Sequence, residues 1–384
     1  MSEQPTNIQE RFGLRRPNFV LDPIEDADFF AHRTGVSVEE IIEDLQIDLV
    51  TGLAPKRLFW GPYGGGKTHT LHKTMKVLQR QTPVHPVYVQ CPDVAPRSTF
   101  LELYRDGIMR SMGQSFVLEL FKKAIDRAGV ARREEFVERL KELIGDEDLA
   151  NLASLMMTPN FKTIKLWAWI SGVPVSRTDL EELNQTQDLT SAEPARLAET
   201  VAILGRLLRE LTGETLILIL DEMDRLRFVG ENTITTFRTG FTRLVDPNQN
   251  TVAVLIGCSA VNLDQMPEVF AIHPGNPVWS RLGSGSCKHI PALDQPDVKR
   301  FVTDVIDYVR NPEANIPELC EKARATTEEC VEIDLFPFTV GALEALESKL
   351  GQDMTPREIT VNMTHAAGRA YQMNRAAVTS EAIR

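Results

Sequence analysis

The sequence predicts an α/β fold, in which a parallel β-sheet carries a helical insert and is followed by a helical lid. Two uninterrupted apolar runs predict the sheet, LILIL at 216–220 and VAVLIG at 252–257. Such runs are typical of strands that helices cover on both faces. The third observation is the order of patterns: strands and helices alternate up to residue 293, and helical patterns alone follow from 294.

Three shorter segments complete the predicted sheet, namely KRLFW at 56–60, HPVYVQC at 85–91 and KHI at 288–290. Helical patterns, in which apolar residues recur every three to four positions, cover 37–50, 68–80, most of 100–211 and the region after 294. One such apolar stripe is Leu197, Val201, Leu204, Leu208 and Leu211.

These elements predict three regions. Residues 1–30 form an irregular lead-in, residues 31–293 form the α/β core with a helical insert at about 100–205, and residues 294–384 form the helical lid. The chain of 384 residues is long enough for two or three compact units of roughly 100–200 residues each.

Composition indicates a soluble globular protein, and the lack of a membrane span and of a leader pattern indicates the cytoplasm. Hydrophobic residues make up 42% and charged residues 25% of the chain, as is usual for soluble domains. We find no run of about 18 apolar residues and no apolar core in the first residues, so neither a membrane span nor a secretory leader is expected.

The cysteines and the net charge limit which metals and partner molecules are expected. Five cysteines are scattered without a CxxC pair, which favours reduced, buried thiols over a disulfide framework or a zinc site. The formal net charge of −12 repels nucleic acid at long range. DNA binding would therefore need a local basic patch or a partner protein.

Residues 61–68, GPYGGGKT, match the phosphate-binding pattern G-x4-G-K-T and lie between a predicted strand and a predicted helix. Glycines let backbone N–H groups surround phosphate oxygens, and the following helix points its positive end at the same anion. We expect Lys67 to reach the β- and γ-phosphates of ATP and the Thr68 hydroxyl to bind Mg²⁺. The expected nucleotide-binding residues of this segment are Gly61, Pro62, Tyr63, Gly64, Gly65, Gly66, Lys67, Thr68 and His69.

Asp221 and Glu222 follow the LILIL run directly. Carboxylates at this end of a central strand face the crevice where α/β sheets bind ligands. We expect Asp221 to hold Mg²⁺ through water and Glu222 to act as the general base on the attacking water. Asp224 and Arg225 are better explained as a solvated turn than as catalytic groups.

The order of GPYGGGKT, LILILDE, GCSA (257–260), WSRLG (279–283) and TPREI (355–359) resembles that of AAA+ ATPases, in particular the Orc/Cdc6-like branch. The resemblance covers roughly residues 37–100 and 205–384. It implies that Ser259, or alternatively Cys258, is the sensor-1 group beside the γ-phosphate. It also implies that Arg281 is an arginine finger acting on a neighbouring subunit and that Arg357 is sensor 2.

The residues themselves support these three roles unevenly. TPRE reads as a capping box, with Thr355 at the N-cap and Glu358 at N3, which places Arg357 in the first turn of a helix. The guanidinium fork suits a phosphate there. The plainer alternatives are a surface arginine for Arg357, an ion-paired arginine for Arg281 and a backbone-bonded hydroxyl for Ser259.

The insert is the main departure from the simple module. Its segment 165–184, KLWAWISGVPVSRTDLEELN, is similar to the insert in P-loop ATPases of BREX-type phage-defence systems. The plainer interpretation is that Trp167 and Trp169 anchor a helical core. An Orc-type winged-helix DNA reader is not expected in the remaining length.

The sequence therefore predicts an ATPase that acts as a switch or motor subunit of a multi-protein bacterial system for DNA transactions or phage defence. We expect homo-oligomers, because a finger acting in trans needs a neighbour, and partner proteins docked on the insert. Two alternatives stay open, a slow-turnover scaffold assembled by nucleotide and a transposition regulator that forms ATP-dependent oligomers on DNA.

Overall fold

The computed structural model describes residues 7–29, 37–273, 275–351 and 354–383. Parts of the predicted lead-in and the end of the predicted lid therefore lie outside the described residues. The chain divides into two compact units. The P-loop unit comprises residues 1–40, 61–73 and 289–384, and the sheet unit comprises residues 41–60 and 74–288. Both combine segments that are far apart in sequence.

Five strands form one sheet in the order β2-β3-β4-β1-β5. They are β1 Lys56–Gly61, β2 Val84–Gln90, β3 Thr215–Asp221, β4 Val252–Ser259 and β5 Cys287–His289. β3 pairs in parallel with β2 on one side and with β4 on the other. The predicted fold class, α/β with a parallel sheet, is confirmed. The predicted ends of β2 and β5 differ from the observed ends by one residue, as is common where strands fray.

The seventeen α-helices of the described residues are α1 Ile8–Phe12, α2 Val38–Val50, α3 Lys67–Gln81, α4 Phe100–Glu102, α5 Arg110–Met112, α6 Gln114–Ala128, α7 Arg133–Ile144, α8 Glu147–Ser154, α9 Thr163–Ile170, α10 Arg177–Glu182, α11 Pro194–Thr212, α12 Glu231–Leu244, α13 Pro277–Leu282, α14 Gln295–Val309, α15 Ile316–Arg324, α16 Val340–Leu350 and α17 Pro356–Gln372. A π-helical segment, Leu103–Met109, connects α4 and α5.

Short 3₁₀ turns complete the described helical structure, at Leu155–Met157, Leu189–Ser191, Met223–Phe228, Leu263–Gln265, Glu268–Phe270, Ser284–Ser286 and Ser380–Ile383. The turn at Met223–Phe228 matters most for the candidate site, because it follows β3 directly.

The sheet unit has its core on β3. All seven residues of β3 are buried, as the uninterrupted apolar run predicts for a strand covered on both faces. The stripe predicted on α11 also faces this core, with Leu197, Val201, Leu204 and Leu208 buried and Leu211 packed at its edge.

The helical insert is confirmed between β2 and β3. Its aromatic segment is helix α9, and the Gly-Val-Pro break separates α9 from α10. Trp169 is 3% exposed and its indole N–H donates to Gln187 O at 3.0 Å, while Trp167 packs at the edge of the same core. Both tryptophans are therefore core anchors, as the plainer interpretation held.

The P-loop unit has a separate core built on α14, α16 and α17. The predicted irregular lead-in contributes to it, which corrects that prediction. Residues 8–12 form α1, and the side chains of Phe12 and Phe19 are fully buried. Phe19 packs edge-on against Phe338, with ring centroids 5.3 Å apart. Burial of these aromatic rings orders a segment whose polar and proline residues favour loop structure.

Among the described residues, we find no helix that is both long enough and apolar enough to cross a membrane.

Candidate nucleotide-binding site

The glycine-rich loop leaves β1 and enters α3, the order that the motif requires. Gly66 has a φ of +93°, a backbone conformation that glycine adopts without strain. At Gly61 a Cβ atom would lie 1.9 Å from the carbonyl oxygen of Ile290. The loop therefore needs glycine at the first position because of close packing and at the sixth because of its backbone angle.

The Lys67 side chain folds back over this loop. The residue is 6% exposed, and its Nζ donates to Gly61 O at 3.1 Å and to Pro62 O at 2.8 Å. Lys67 is also the first residue of α3, whose positive end thus begins at the loop. The predicted phosphate lysine is buried within the loop that the motif predicts.

Thr68 and His69 occupy the first turn of α3 and are both partly exposed. The His69 ring nitrogen Nε2 lies 2.8 Å from Phe29 O, and the two rings meet edge-on at 6.1 Å. The structure thus uses His69 to join α3 to the segment around residue 29. Its predicted part in nucleotide binding stays a prediction, as does that of the Thr68 hydroxyl in binding magnesium.

Helix α17 begins beside the loop. The Thr355 side chain caps it by accepting from Glu358 N at 3.3 Å, as predicted from the sequence. The Arg357 amide donates to Gly64 O at 3.4 Å. The Arg357 guanidinium carbon lies 5.1 Å from the centroid of the Tyr63 ring, and Nη1 donates to the Tyr63 hydroxyl at 2.6 Å. The P-loop unit thus brings the predicted sensor-2 arginine to the glycine loop.

In the sheet unit, Asp221 is the last residue of β3 and is 2% exposed. Its Oδ2 accepts from the Tyr88 hydroxyl at 2.8 Å, and its Oδ1 accepts from the Glu222 amide at 2.8 Å. Burial, followed by the charge of Asp221, raises the pKa of Tyr88 above its usual value. Tyr88 therefore stays protonated and holds the Asp221 carboxylate in one orientation.

Glu222 adopts a left-handed backbone conformation, with φ 57° and ψ 31°. Such a residue without glycine's freedom is strained by about 1–3 kcal/mol, and strain of this kind clusters at functional sites. Glu222 Oε2 accepts from Gln90 Nε2 at 2.9 Å and from Arg225 Nη2 at 2.6 Å. The predicted general base is thus half-exposed and held by two side chains.

Arg225 joins Glu222 to the loop after β2. Its Nη1 donates to Asp93 Oδ1 at 2.9 Å and to Cys91 O at 3.1 Å. The neighbouring Asp224 accepts from the Ser259 amide at 3.0 Å. Asp224 and Arg225 are partly exposed, as expected of a solvated turn, and the turn in addition binds the ends of two neighbouring strands.

Gln90, Tyr88 and Arg225 were not predicted as site residues. The parallel register sets Gln90 opposite Asp221, and such a register follows from tertiary pairing. A weak signal exists in the sequence, since Tyr88 and Gln90 are polar side chains two residues apart at the end of a strand and so share one face.

The pleat of β4 distinguishes the two sensor-1 alternatives. Cys258 is fully buried in the core, whereas Ser259 ends the strand and is partly exposed. The Ser259 backbone is fixed on both sides, since its amide donates to Asp224 and its carbonyl accepts from Arg227. Ser259 is therefore the alternative that offers a side chain to a ligand, and its sensor role stays a prediction.

Arg281 lies on the short helix α13 and is exposed. Its Nη1 donates to Pro277 O within the same helix at 3.3 Å, and within the described chain it makes no ion pair. The described structure therefore does not support the alternative that Arg281 is an ordinary ion-paired arginine. Buried Asn276 holds α13 in place, since its amide donates to Val269 O and Ala271 O at 2.9 Å.

The chemistry of each predicted magnesium ligand suits the ion. The Asp221 carboxylate and the Thr68 hydroxyl are hard oxygen donors of the kind that Mg²⁺ prefers. Each Asp221 oxygen accepts one hydrogen bond and keeps a second lone pair. Over the described ranges, no cluster of three or more histidine, cysteine, aspartate or glutamate side chains is placed to hold a metal by itself.

Within the described residues, none of the five cysteines forms a disulfide bond. Cys91, Cys258 and Cys320 are buried, as expected, whereas Cys330 is exposed. Burial raises the pKa of Cys91 and of Cys287 to about 12, so both thiols stay protonated and unreactive at neutral pH.

No family model and no curated protein matches the sequence. Several solved structures are similar to the chain. The ORC2 protein of Aeropyrum pernix in its ADPNP–ADP complexes is 12% identical, with a TM-score of 0.46 over 97% of this chain and 71% of that one. Cdc6p from Pyrobaculum aerophilum is 14% identical, with a TM-score of 0.42 over 94% and 68%.

A Walker-type ATPase of Pyrococcus abyssi is 14% identical, with a TM-score of 0.39 over 88% of this chain and 69% of that one. Similarity at these identities and TM-scores carries no argument about function, which rests on the residues of the site. The solved structures that resemble the chain do include Orc and Cdc6 proteins, as its motifs predict. The weaker likeness to BREX-type ATPases stays a prediction.

Proposed function

We propose that this protein binds ATP with Mg²⁺ on the loop 61–68 and hydrolyses it. One observation carries the proposal: a glycine loop that tolerates no Cβ at Gly61 contains a buried lysine, Lys67, and opens a helix at the same point. This combination concentrates a positive charge and helix N–H groups at one short stretch of backbone, as a triphosphate requires.

We propose a separate role in ATP hydrolysis for each predicted site residue. Lys67 and the loop amides would neutralise the phosphates, and Arg357 would bind them from α17. Glu222 would accept a proton from the water that attacks the γ-phosphorus, while the bond to the bridging oxygen of ADP breaks. When bound through Thr68 and Asp221, Mg²⁺ would supply charge stabilisation to the phosphate oxygens.

The proposed hydrolysis also involves a neighbouring copy of the chain. Arg281 is exposed and makes no ion pair in the described part of the chain, which supports a role outside its own subunit. A guanidinium supplied in trans stabilises the charge that develops on the transferred phosphoryl group. We therefore propose that the protein assembles into homo-oligomers when it binds ATP.

Steady-state hydrolysis and calorimetric ATP binding test the proposal on wild type, Lys67→Ala and Glu222→Gln. We expect Lys67→Ala to lose ATP binding. Glu222→Gln should bind ATP normally and hydrolyse it at least about a hundredfold more slowly, because the general base is removed. Normal hydrolysis by Glu222→Gln would exclude Glu222 as the base, and failure of wild type to bind ATP would exclude the function itself.

A second candidate is a slow-turnover scaffold that ATP assembles. The double restraint on Glu222 by Gln90 and Arg225 favours it, because Oε2 is already occupied by two donors. Light scattering with and without ATP separates the candidates. Assembly that persists in Glu222→Gln, together with slow wild-type turnover, favours the scaffold; fast turnover that is lost in the variant favours a motor.

We propose a multi-protein bacterial system as the setting, with DNA transactions or phage defence as the task and the insert as the docking site for a partner. A regulator that oligomerises on DNA is the alternative. It requires DNA binding that depends on ATP and weakens steeply with salt, because phosphate contacts release counterions. Absence of such binding at low salt would remove it.

A further inference from the structure

Tyr63 is the third residue of the glycine loop, and its side chain is 69% exposed. The Tyr63 ring is exposed and therefore does not fill the core. The Tyr63 backbone is not among the positive-φ positions of the described chain, so it does not call for glycine. What the ring contacts is Arg357, at the first turn of α17 in the same unit. The contact has two parts that are chemically distinct, a ring face under a cation and a hydroxyl that accepts a hydrogen bond.

The backbone holds the two side chains in place. Arg357 N donates to Gly64 O, and a Cβ atom at Gly64 would lie 3.0 Å from both the Arg357 Cβ and the Thr355 Oγ1. The first turn of α17 is therefore packed against the loop backbone itself. The guanidinium, by contrast, reaches past the backbone to the outer end of Tyr63, where Nη1 bonds the hydroxyl at 2.6 Å.

We propose that Tyr63 is a positioning residue that holds Arg357 away from the phosphates until ATP is bound. The inference rests on the function proposed above. The hydroxyl is the side-chain atom of Tyr63 farthest from the loop backbone, whereas phosphate oxygens would sit at the backbone amides. Arg357 Nη1 must therefore leave the hydroxyl before both η nitrogens can grip a phosphate, and Tyr63 competes with ATP for that arm of the guanidinium.

Competition of this kind lowers apparent affinity. If the guanidinium is bound to Tyr63 most of the time, the apparent dissociation constant for ATP rises by the inverse of the competent fraction. An exposed cation–π contact and one hydrogen bond together correspond to a roughly three- to tenfold change in the apparent dissociation constant for ATP. The gain in ATP affinity on removing Tyr63 must depend wholly on Arg357. If Tyr63 instead had a general role in folding, the effect of removing it would not depend on Arg357.

The test is a double-mutant cycle in the Glu222→Gln background, which prevents hydrolysis during ATP titrations. Tyr63→Leu removes the ring and the hydroxyl, while Tyr63→Phe removes the hydroxyl alone. We expect Tyr63→Leu to bind ATP about three- to tenfold more tightly and Tyr63→Phe to show a smaller gain. Both gains should vanish when Arg357→Ala is added.

The same variants with Glu222 intact separate binding from chemistry. We expect Tyr63→Leu to lower KM for ATP by a larger factor than it changes kcat, because the competitor for Arg357 is removed while Lys67 and Glu222 stay in place. Weaker ATP binding by Tyr63→Leu, or an equal gain in the Arg357→Ala background, would overturn the inference while leaving ATP binding itself established. Failure of the Glu222→Gln protein to bind ATP would instead overturn both the inference and the proposed function.

Discussion

Arg225 Nη2 lies 2.6 Å from Glu222 Oε2, so that the residue proposed as general base is ion-paired to an arginine three positions later. The same guanidinium bonds Asp93 and Cys91 O beyond β2. Oε2, which two donors occupy, must lose at least one of them before it accepts a proton from water, whereas neither donor occupies Oε1. The turn after β3 therefore fixes the orientation of Glu222 as well as carrying it.

We expect Arg225→Ala to increase basal ATP turnover up to about fivefold, since half-exposed ion pairs of this kind are worth about 0.2–1 kcal/mol. Asp93→Asn serves as a milder variant, because it loosens Arg225 and leaves the Glu222 pair in place. It should change turnover in the same direction and by less. A fall in kcat for Arg225→Ala would show instead that the arginine orients Glu222 productively.

Arg281→Ala should leave ATP binding unchanged and slow hydrolysis by about 10³-fold or more if the arginine acts on the nucleotide of a neighbour. Mixing this variant with Glu222→Gln tests the trans arrangement, because one kind of interface in the mixed oligomer then has both groups intact. The matched control is Arg177→Ala, since Arg177 is 94% exposed and, among the described residues, pairs with Glu181 of its own helix. Loss of ATP binding in Arg281→Ala would contradict the finger assignment.

Gly61→Ala should destabilise the protein, because the new Cβ would lie 1.9 Å from the Ile290 carbonyl oxygen. Overpacking against backbone costs about 1–3 kcal/mol or more. Gly368→Ala is the control in the same unit: it lies within α17 with open space at its Cβ position. Gly368→Ala should raise the free energy of unfolding by about 0.5–1 kcal/mol, since alanine loses less conformational entropy than glycine when a helix forms. Urea unfolding of both variants measures the contrast.

Lys56 begins β1 and is buried, with its Nζ donating to the carbonyl oxygens of Val252 and Gln249. Burial lowers the pKa of Lys56 from 10.5 to about 7, and the carboxylate of Asp246 offsets part of that effect. Between these two values the unfolded chain binds more protons than the folded one, so stability rises with pH. Below about pH 7 both states are protonated and the penalty of the buried charge is complete.

We therefore expect the free energy of unfolding to rise between pH 7.5 and pH 9 with a slope that approaches about 1.4 kcal/mol per pH unit from this one group. Lys56→Met should remove that part of the slope, whatever it does to stability at a single pH. Lys123→Met, at a half-exposed lysine, controls for the loss of a lysine charge. An unchanged slope in Lys56→Met would show that Lys56 remains charged throughout.

Local sequence patterns determined several secondary-structure elements and the glycine loop. The run LILIL predicted a fully buried strand because only a strand covered on both faces accepts apolar residues at every position. The loop 61–68 was predicted with its strand and helix because glycine, lysine and threonine at those spacings serve one local geometry. Thr355 was predicted as a helix cap because its hydroxyl needs only an amide three residues away.

Tertiary structure decided the contacts between distant segments. Gln90 meets Glu222 through the register of two parallel strands that an insert of about a hundred residues separates in sequence. Tyr63 meets Arg357 because α17 packs on the glycine loop, nearly three hundred positions away along the chain. The lead-in became part of a core through Phe12 and Phe19. Periodicity and capping act within a few residues, whereas strand register and helix packing depend on the shape of the whole buried surface, which no single segment contains.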